Sequence, residues 1–76
     1  MAVRYYRMST GPKAVAVVRT LAENANVSVS RLLGYAHRSV LRFDHPDDYD
    51  LDLVIRDVDP MARAVPEPPS GMVVTP

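Results

Sequence analysis

A small α+β domain is the fold class this sequence predicts: an N-terminal strand, then two helices, closed by a two-fold dimer and followed by an acidic extended C-terminal segment. Three observations predict it. A run rich in Val and Tyr at residues 2–8 stops at Ser9-Thr10-Gly11-Pro12. Two apolar stripes at helical spacing follow, over residues 12–25 and 29–42. The charge then changes sign: residues 1–43 carry seven basic side chains against Glu23, a net of +6, and residues 44–76 carry Arg56 and Arg63 against eight acids, a net of −6. The formal total of zero hides this asymmetry.

The strand rests on the β-propensity of Val3, Tyr5 and Tyr6 and on the turn signal that ends the run. One face would carry Val3, Tyr5 and Arg7, the other Arg4, Tyr6 and Met8. Pro12 suits the first position of a helix, where a missing N–H leaves nothing unsatisfied. Over residues 12–25 the stripe is Ala14, Val15, Val18, Leu21, Ala22 and Ala25. Three valines lower helix propensity there, and a strand over 14–18 is the competing reading. Asn24 and Asn26 favour a helix end or a turn. Ser28 or Ser30 can cap a second helix over 29–42, with Val29, Leu32, Leu33, Ala36, Val40 and Leu41 on one side and Arg31, Arg38 and Arg42 on the other. Asp44-His45-Pro46-Asp47-Asp48 reads as a turn. In residues 49–58, Tyr49, Leu51 and Leu53 alternate with Asp50 and Asp52, which predicts a second strand or an arm that orders on a partner. From Asp59 the chain reads as a flexible tail, with Pro66, Pro68 and Pro69 favouring extended geometry. The organisation expected is therefore a domain at 1–43, an acidic segment at 44–58 and a proline-rich tail at 59–76.

Size and composition narrow the function classes. A chain of 76 residues holds at most one domain and is marginal as a monomer. It has no cysteine, so disulfides and thiolate metal sites are excluded. A second source of stability is needed, and the apolar fraction of 47% points to association. Two helices and one strand cannot bury both stripes, and a lone strand lacks a ladder partner. Asp44, His45, Asp47 and Asp48 could attract a hard cation, but no metal-ligand motif is present, and Gly11, Gly34 and Gly71 form no phosphate loop. No cofactor and no enzymatic activity are expected. The N-terminus has no apolar run after its charges, and 14–18 is far shorter than the roughly 20 residues of a membrane span. A cytoplasmic protein without membrane contact is the expectation.

The order strand, helix, short Asn/Ser turn, helix resembles the ribbon-helix-helix family of Arc- and MetJ-type repressors and antitoxins. The local likeness is best over residues 17–30, Val-Val-Arg-Thr-Leu-Ala-Glu-Asn-Ala-Asn-Val-Ser-Val-Ser, and it covers about the first half of the chain. The resemblance implies a homodimer whose paired N-terminal strands enter the major groove of double-stranded DNA. It implies a groove-facing set of Tyr5, Arg7 and Ser9, with Tyr6, Met8 and Thr10 toward the helices. It implies a phosphate anchor at Ser28, Val29 and Ser30, where backbone N–H groups would be free. A basic first half would supply the sequence-independent attraction. Residues 21–33 are also similar to a lac-repressor-type helix-turn-helix, in which Ser28, Ser30, Arg31 and Tyr35 would face the groove. The function expected is a small dimeric DNA-binding regulator or antitoxin-like protein. The alternative is a non-enzymatic protein–protein interaction module, phage-like or accessory, that meets a second protein through its acidic half.

Overall fold

The computed structural model describes residues 1–9, 16, 19–20, 23, 25–33, 39–69 and 72–74. Among these, five strands form one antiparallel sheet: β1 (Ala2–Arg7), β2 (Ser28–Leu33), β3 (Val40–His45), β4 (Arg63–Val65) and β5 (Met72–Val74). One complete helix, α1 (Leu51–Val58), lies between β3 and β4. The strand order across the sheet is β4-β1-β3-β2-β5. Ala16, Arg19, Thr20 and Glu23, between β1 and β2, have helical backbone. The Thr20 hydroxyl donates to the Ala16 carbonyl one turn back, at 3.1 Å. Chain order strand, helical segment, strand, strand, helix, strand with β1 and β3 side by side in the middle is the split β-α-β arrangement called ferredoxin-like. Here β5 extends it beyond β2.

This architecture overturns the strand-plus-two-helix reading and, with it, the dimeric ribbon. β1 stands as expected, but it lies between β3 and β4 of its own chain. It therefore has no need of a symmetry mate to complete its ladder. The helix expected over 12–25 falls mostly outside the described residues. The second helix, expected over 29–42, is instead the strand β2 and the start of β3. Val27 and Val29 alternate with Ser28 and Ser30, which is the period of a strand, not of a helix. Ser28 and Ser30 cap nothing; they sit in a ladder, Ser28 opposite Asp44 and Ser30 opposite Arg42.

The segment read as an acidic strand or arm is the helix α1. Asp50 caps it, its carboxylate accepting from the Leu53 N–H at 3.2 Å. Leu51 and Ile55, four apart, are its buried residues. Asp52 in the first turn and Arg56 in the last suit the helix dipole and pair with each other at 2.9 Å. The segment from Asp59 that reads as a tail supplies β4 and β5 to the sheet edges. The turn before α1 falls at Asp47-Asp48, closed by the Tyr49 N–H on the Pro46 carbonyl at 3.0 Å, while Asp44 and His45 belong to β3. Asn26 takes a left-handed backbone, φ 57°, at the turn into β2. Asparagine tolerates that region better than most residues.

The core lies between the sheet and α1. Tyr6, Leu41, Phe43, Val29, Leu51 and Ile55 meet there, all buried. The Tyr6 and Phe43 rings pack edge to face with centroids 5.8 Å apart. A second, smaller cluster of Tyr5, Leu32 and Val40, with Val65 against it, occupies the other face of the sheet. Among the described residues no helix is long and apolar enough to cross a membrane.

Candidate functional site

The face of the sheet turned away from α1 is assembled by register. Strand alternation puts Tyr5 and Arg7 of β1 on it, with their cross-strand partners. Tyr5 faces Arg42 of β3 and Val65 of β4; Arg7 faces Val40 and Arg63. Ser30 of β2 faces Arg42 from the other side, and Ser28 faces Asp44. Side chains directly opposite one another in such a ladder stand roughly 5 Å apart at Cβ. Three arginines, two serine hydroxyls and one phenol thus share a single surface.

These groups differ in how they are held. The Arg42 guanidinium is half-buried and pairs with Asp44 at 3.2 Å. Arg7 and Arg63 are exposed, and among the described residues neither lies within ion-pair distance of a carboxylate. Like charges directly opposite in a ladder repel, so this pair is a local destabilising element until an anion sits between them. Tyr5 is buried, and its hydroxyl donates to Glu67 at 3.3 Å. Burial first, and the nearby Glu67 carboxylate second, push the Tyr5 phenol above its ordinary value. An open groove of about 600 Å³ runs beside it, lined by Val3, Tyr5, Arg42, Val65 and Glu67 among others.

β4 is at one edge of the sheet and β5 at the other, four strand spacings apart, or about 19 Å. Just beyond β4, Glu67 meets the Tyr5 hydroxyl on the face opposite α1, and Pro69 stands in a turn.

The structure gathers four of the six expected DNA-contacting residues, Tyr5, Arg7, Ser28 and Ser30, on this one face. It separates the other two. Val29 points into the core with Phe43 opposite. Ser9, just beyond β1, is bound to the buried Asp59: its N–H donates to that carboxylate at 2.7 Å and its hydroxyl donates to the other oxygen. Arg42 and Arg63 were not in the expected set. Both become partners of Tyr5 and Arg7 only through the ladder, and no spacing along the chain announces that.

The opposite side of the molecule bears a group of aspartates, together with Arg4 and Arg31 from the strands. Asp47, Asp48, Asp50, Asp52 and Asp57 lie in or before α1, with Arg56 as counter-charge. Leu53 projects outward from that helix at 67% exposure, beside a dent lined by Tyr49, Leu53, Val54 and Asp57. Among the described residues no three His, Asp or Glu side chains are placed to hold a metal ion. Comparison of the chain with family models, with curated proteins and with solved structures finds no match.

Proposed function

We propose that this protein is a non-catalytic binding module that takes a polyanionic strand, a single-stranded nucleic acid, on the arginine-bearing face of its sheet. The observation that carries the reading is the Arg7–Arg63 couple, in register beside Tyr5 and Arg42 and, among the described residues, without a carboxylate within ion-pair distance. A phosphate bridging the two guanidiniums removes their repulsion and forms charge-assisted hydrogen bonds. The serines offer hydroxyls to backbone or base. The ligand class changes from the duplex expected above for a geometric reason. A duplex major groove, about 12 Å wide, admits a helix or a two-stranded ribbon, and a sheet five strands across is wider. On this reading the protein acts as a cytoplasmic regulator through single-stranded segments, and dimerisation is an option rather than a condition of folding.

Fluorescence anisotropy with a labelled single-stranded oligonucleotide tests it. Affinity should fall as salt rises, with a log–log slope of about −0.7 per phosphate contacted. Replacing both arginines, Arg7→Gln with Arg63→Gln, should flatten that slope by about 0.7, the contribution of the one phosphate they share. The duplex of the same sequence should bind less well. Salt-independent binding, or none at low salt, removes the proposal.

A second reading belongs to another class and rests on Leu53. An outward leucine with a ring of aspartates suits a basic, partly apolar protein surface, as an antitoxin-like or accessory protein would use. A stoichiometric cross-link to a protein partner that Leu53→Asp abolishes, and that the double arginine variant leaves intact, would favour it over the first.

A further inference from the structure

The two neighbours of β1 hold it unequally. β3 pairs with it over six positions, Ala2 to Arg7, and β4 over three, Tyr5 to Arg7. The Met8 N–H donates to the Ser39 carbonyl at 2.8 Å and fixes the alternation. Ala2, Arg4 and Tyr6 then turn their backbone groups to β3, while Val3, Tyr5 and Arg7 turn theirs to the β4 side. At Tyr5 and Arg7 those groups meet β4. The same register continued would bring Glu67 opposite Val3. β4 ends at Val65 instead, Pro66 follows, and among the described residues no backbone hydrogen bond is made to Val3 on that side. Val3 is 46% exposed. The groove of about 600 Å³ opens at this place, with Val3 and Arg4 on one wall and Ala64, Val65, Pro66 and Glu67 on the other.

We infer that this notch in the sheet is a docking site for an extended peptide, which adds a short strand beside Val3 and carries acidic residues on either side of the paired position. The free N–H and C=O of one strand residue are complemented by the same two groups of an extended peptide, and one such pair forms both bonds. The residues flanking the one that pairs with Val3 turn their side chains to the helix face of the sheet. Arg4 stands on that face, opposite Phe43. Its guanidinium lies 5.9 Å from the centre of the Tyr6 ring and, among the described residues, has no carboxylate within ion-pair distance. A carboxylate of the peptide supplies that partner. Arg7 and Arg63, at the other end of β1, take no part, so the site is independent of the nucleic-acid reading.

Titration of the isotope-labelled full chain with the blocked peptide acetyl-Thr-Glu-Val-Glu-Thr-amide tests the inference. The Val3 amide signal should shift, and its hydrogen exchange should slow about tenfold at saturation. Signals of Arg7 and Arg63 should stay in place. Acetyl-Thr-Lys-Val-Lys-Thr-amide should bind about fivefold more weakly, since like charge replaces opposite charge beside Arg4. Val3→Pro removes the free N–H and spares the β3 ladder, because that N–H points away from β3. It should abolish binding and leave the far-ultraviolet spectrum unchanged. Should Val3→Pro unfold, Arg4→Glu carries the test: it leaves the backbone groups in place and should reverse the preference between the two peptides. An unmoved Val3 amide at millimolar peptide, or equal binding of both peptides, overturns the proposal. Protection of Val3 that grows with protein concentration in the absence of peptide puts a second copy in the notch and overturns the choice of occupant.

Discussion

Two tyrosines that are neighbours in sequence have opposite duties. Tyr6 is wholly buried against Phe43 and donates to Asp52 at 2.9 Å. Burial, and then that hydrogen bond, push its phenol up to about 12. An unfolded tyrosine ionises near 10. The neutral phenol therefore favours the folded state, with its full contribution present below pH 10 and lost as pH climbs toward 12. Ultraviolet titration of the phenolates should show Tyr6 ionising last, together with loss of the fold, and Tyr6→Phe should move the alkaline unfolding midpoint upward. Asp52 is held below its usual range by Arg56 first and by Tyr6 second. Asp59 is the other residue on which much depends. Its buried carboxylate accepts from Ser9 and from the Met61 N–H, tying the end of β1 to the end of α1. Asp59→Ala leaves those donors without an acceptor, and chemical denaturation should show a loss of about 3 kcal/mol. Ser9→Ala, which removes one donor and keeps the carboxylate partly satisfied, should lose about 1 kcal/mol. Ser9 was expected at a DNA groove, and nothing in its sequence neighbourhood points to Asp59, fifty residues on.

At the scale of elements, α1 offers the sharpest test, because its alternating start reads as a strand. Asp50→Ala removes the N-cap and should cost about 1 kcal/mol by denaturation; Asp50→Ser should restore most of it. The capping signal was present in the sequence, as was the spacing of Leu51, Ile55 and Val58, but Tyr49-Asp-Leu-Asp-Leu fits a period of two over the same stretch. Tertiary burial of Leu51 and Ile55 decided between them. The hairpin of β2 and β3 failed to register for the converse reason. Val29, Leu32, Leu33, Val40 and Leu41 match a helical stripe if the intervening residues are assumed helical. The alternation Val27-Ser28-Val29-Ser30, together with β-branched and aromatic residues at 40–43, marks strands. β1 is legible because its run of Val and Tyr ends in a turn signal of the sequence. The shared face of Tyr5, Arg7, Ser28 and Ser30 was legible only in part, since strand pairing, which no local pattern specifies, sets which residues stand opposite. The edges carry their own safeguards. β4 is three residues long, with Arg63 in it and Pro66 just after, features that discourage pairing with a further strand.

Charge is mixed on both layers of the whole molecule: Arg7, Arg42 and Arg63 share the outer sheet face with Asp44 and Glu67, while Arg4 and Arg31 stand on the helix side with the aspartates of the turn and α1. Attraction of a polyanion then rests on the Arg7–Arg63 couple, and the association rate should fall as ionic strength rises. Stopped-flow mixing with a single-stranded oligonucleotide would measure that, with the rate of Arg63→Gln falling less steeply than that of the native chain. The pairing of β5 with β2 alone has a different consequence. β5 is in effect a tethered peptide, and what keeps it on β2 is its local concentration, on the order of millimolar for a short tether. The same three residues on a second copy would displace it only when the protein itself is that concentrated. Sedimentation at micromolar concentrations should therefore find no dimers made by exchanging this strand. Lengthening the tether by several glycines should dilute β5 at its own docking edge and leave it more often detached.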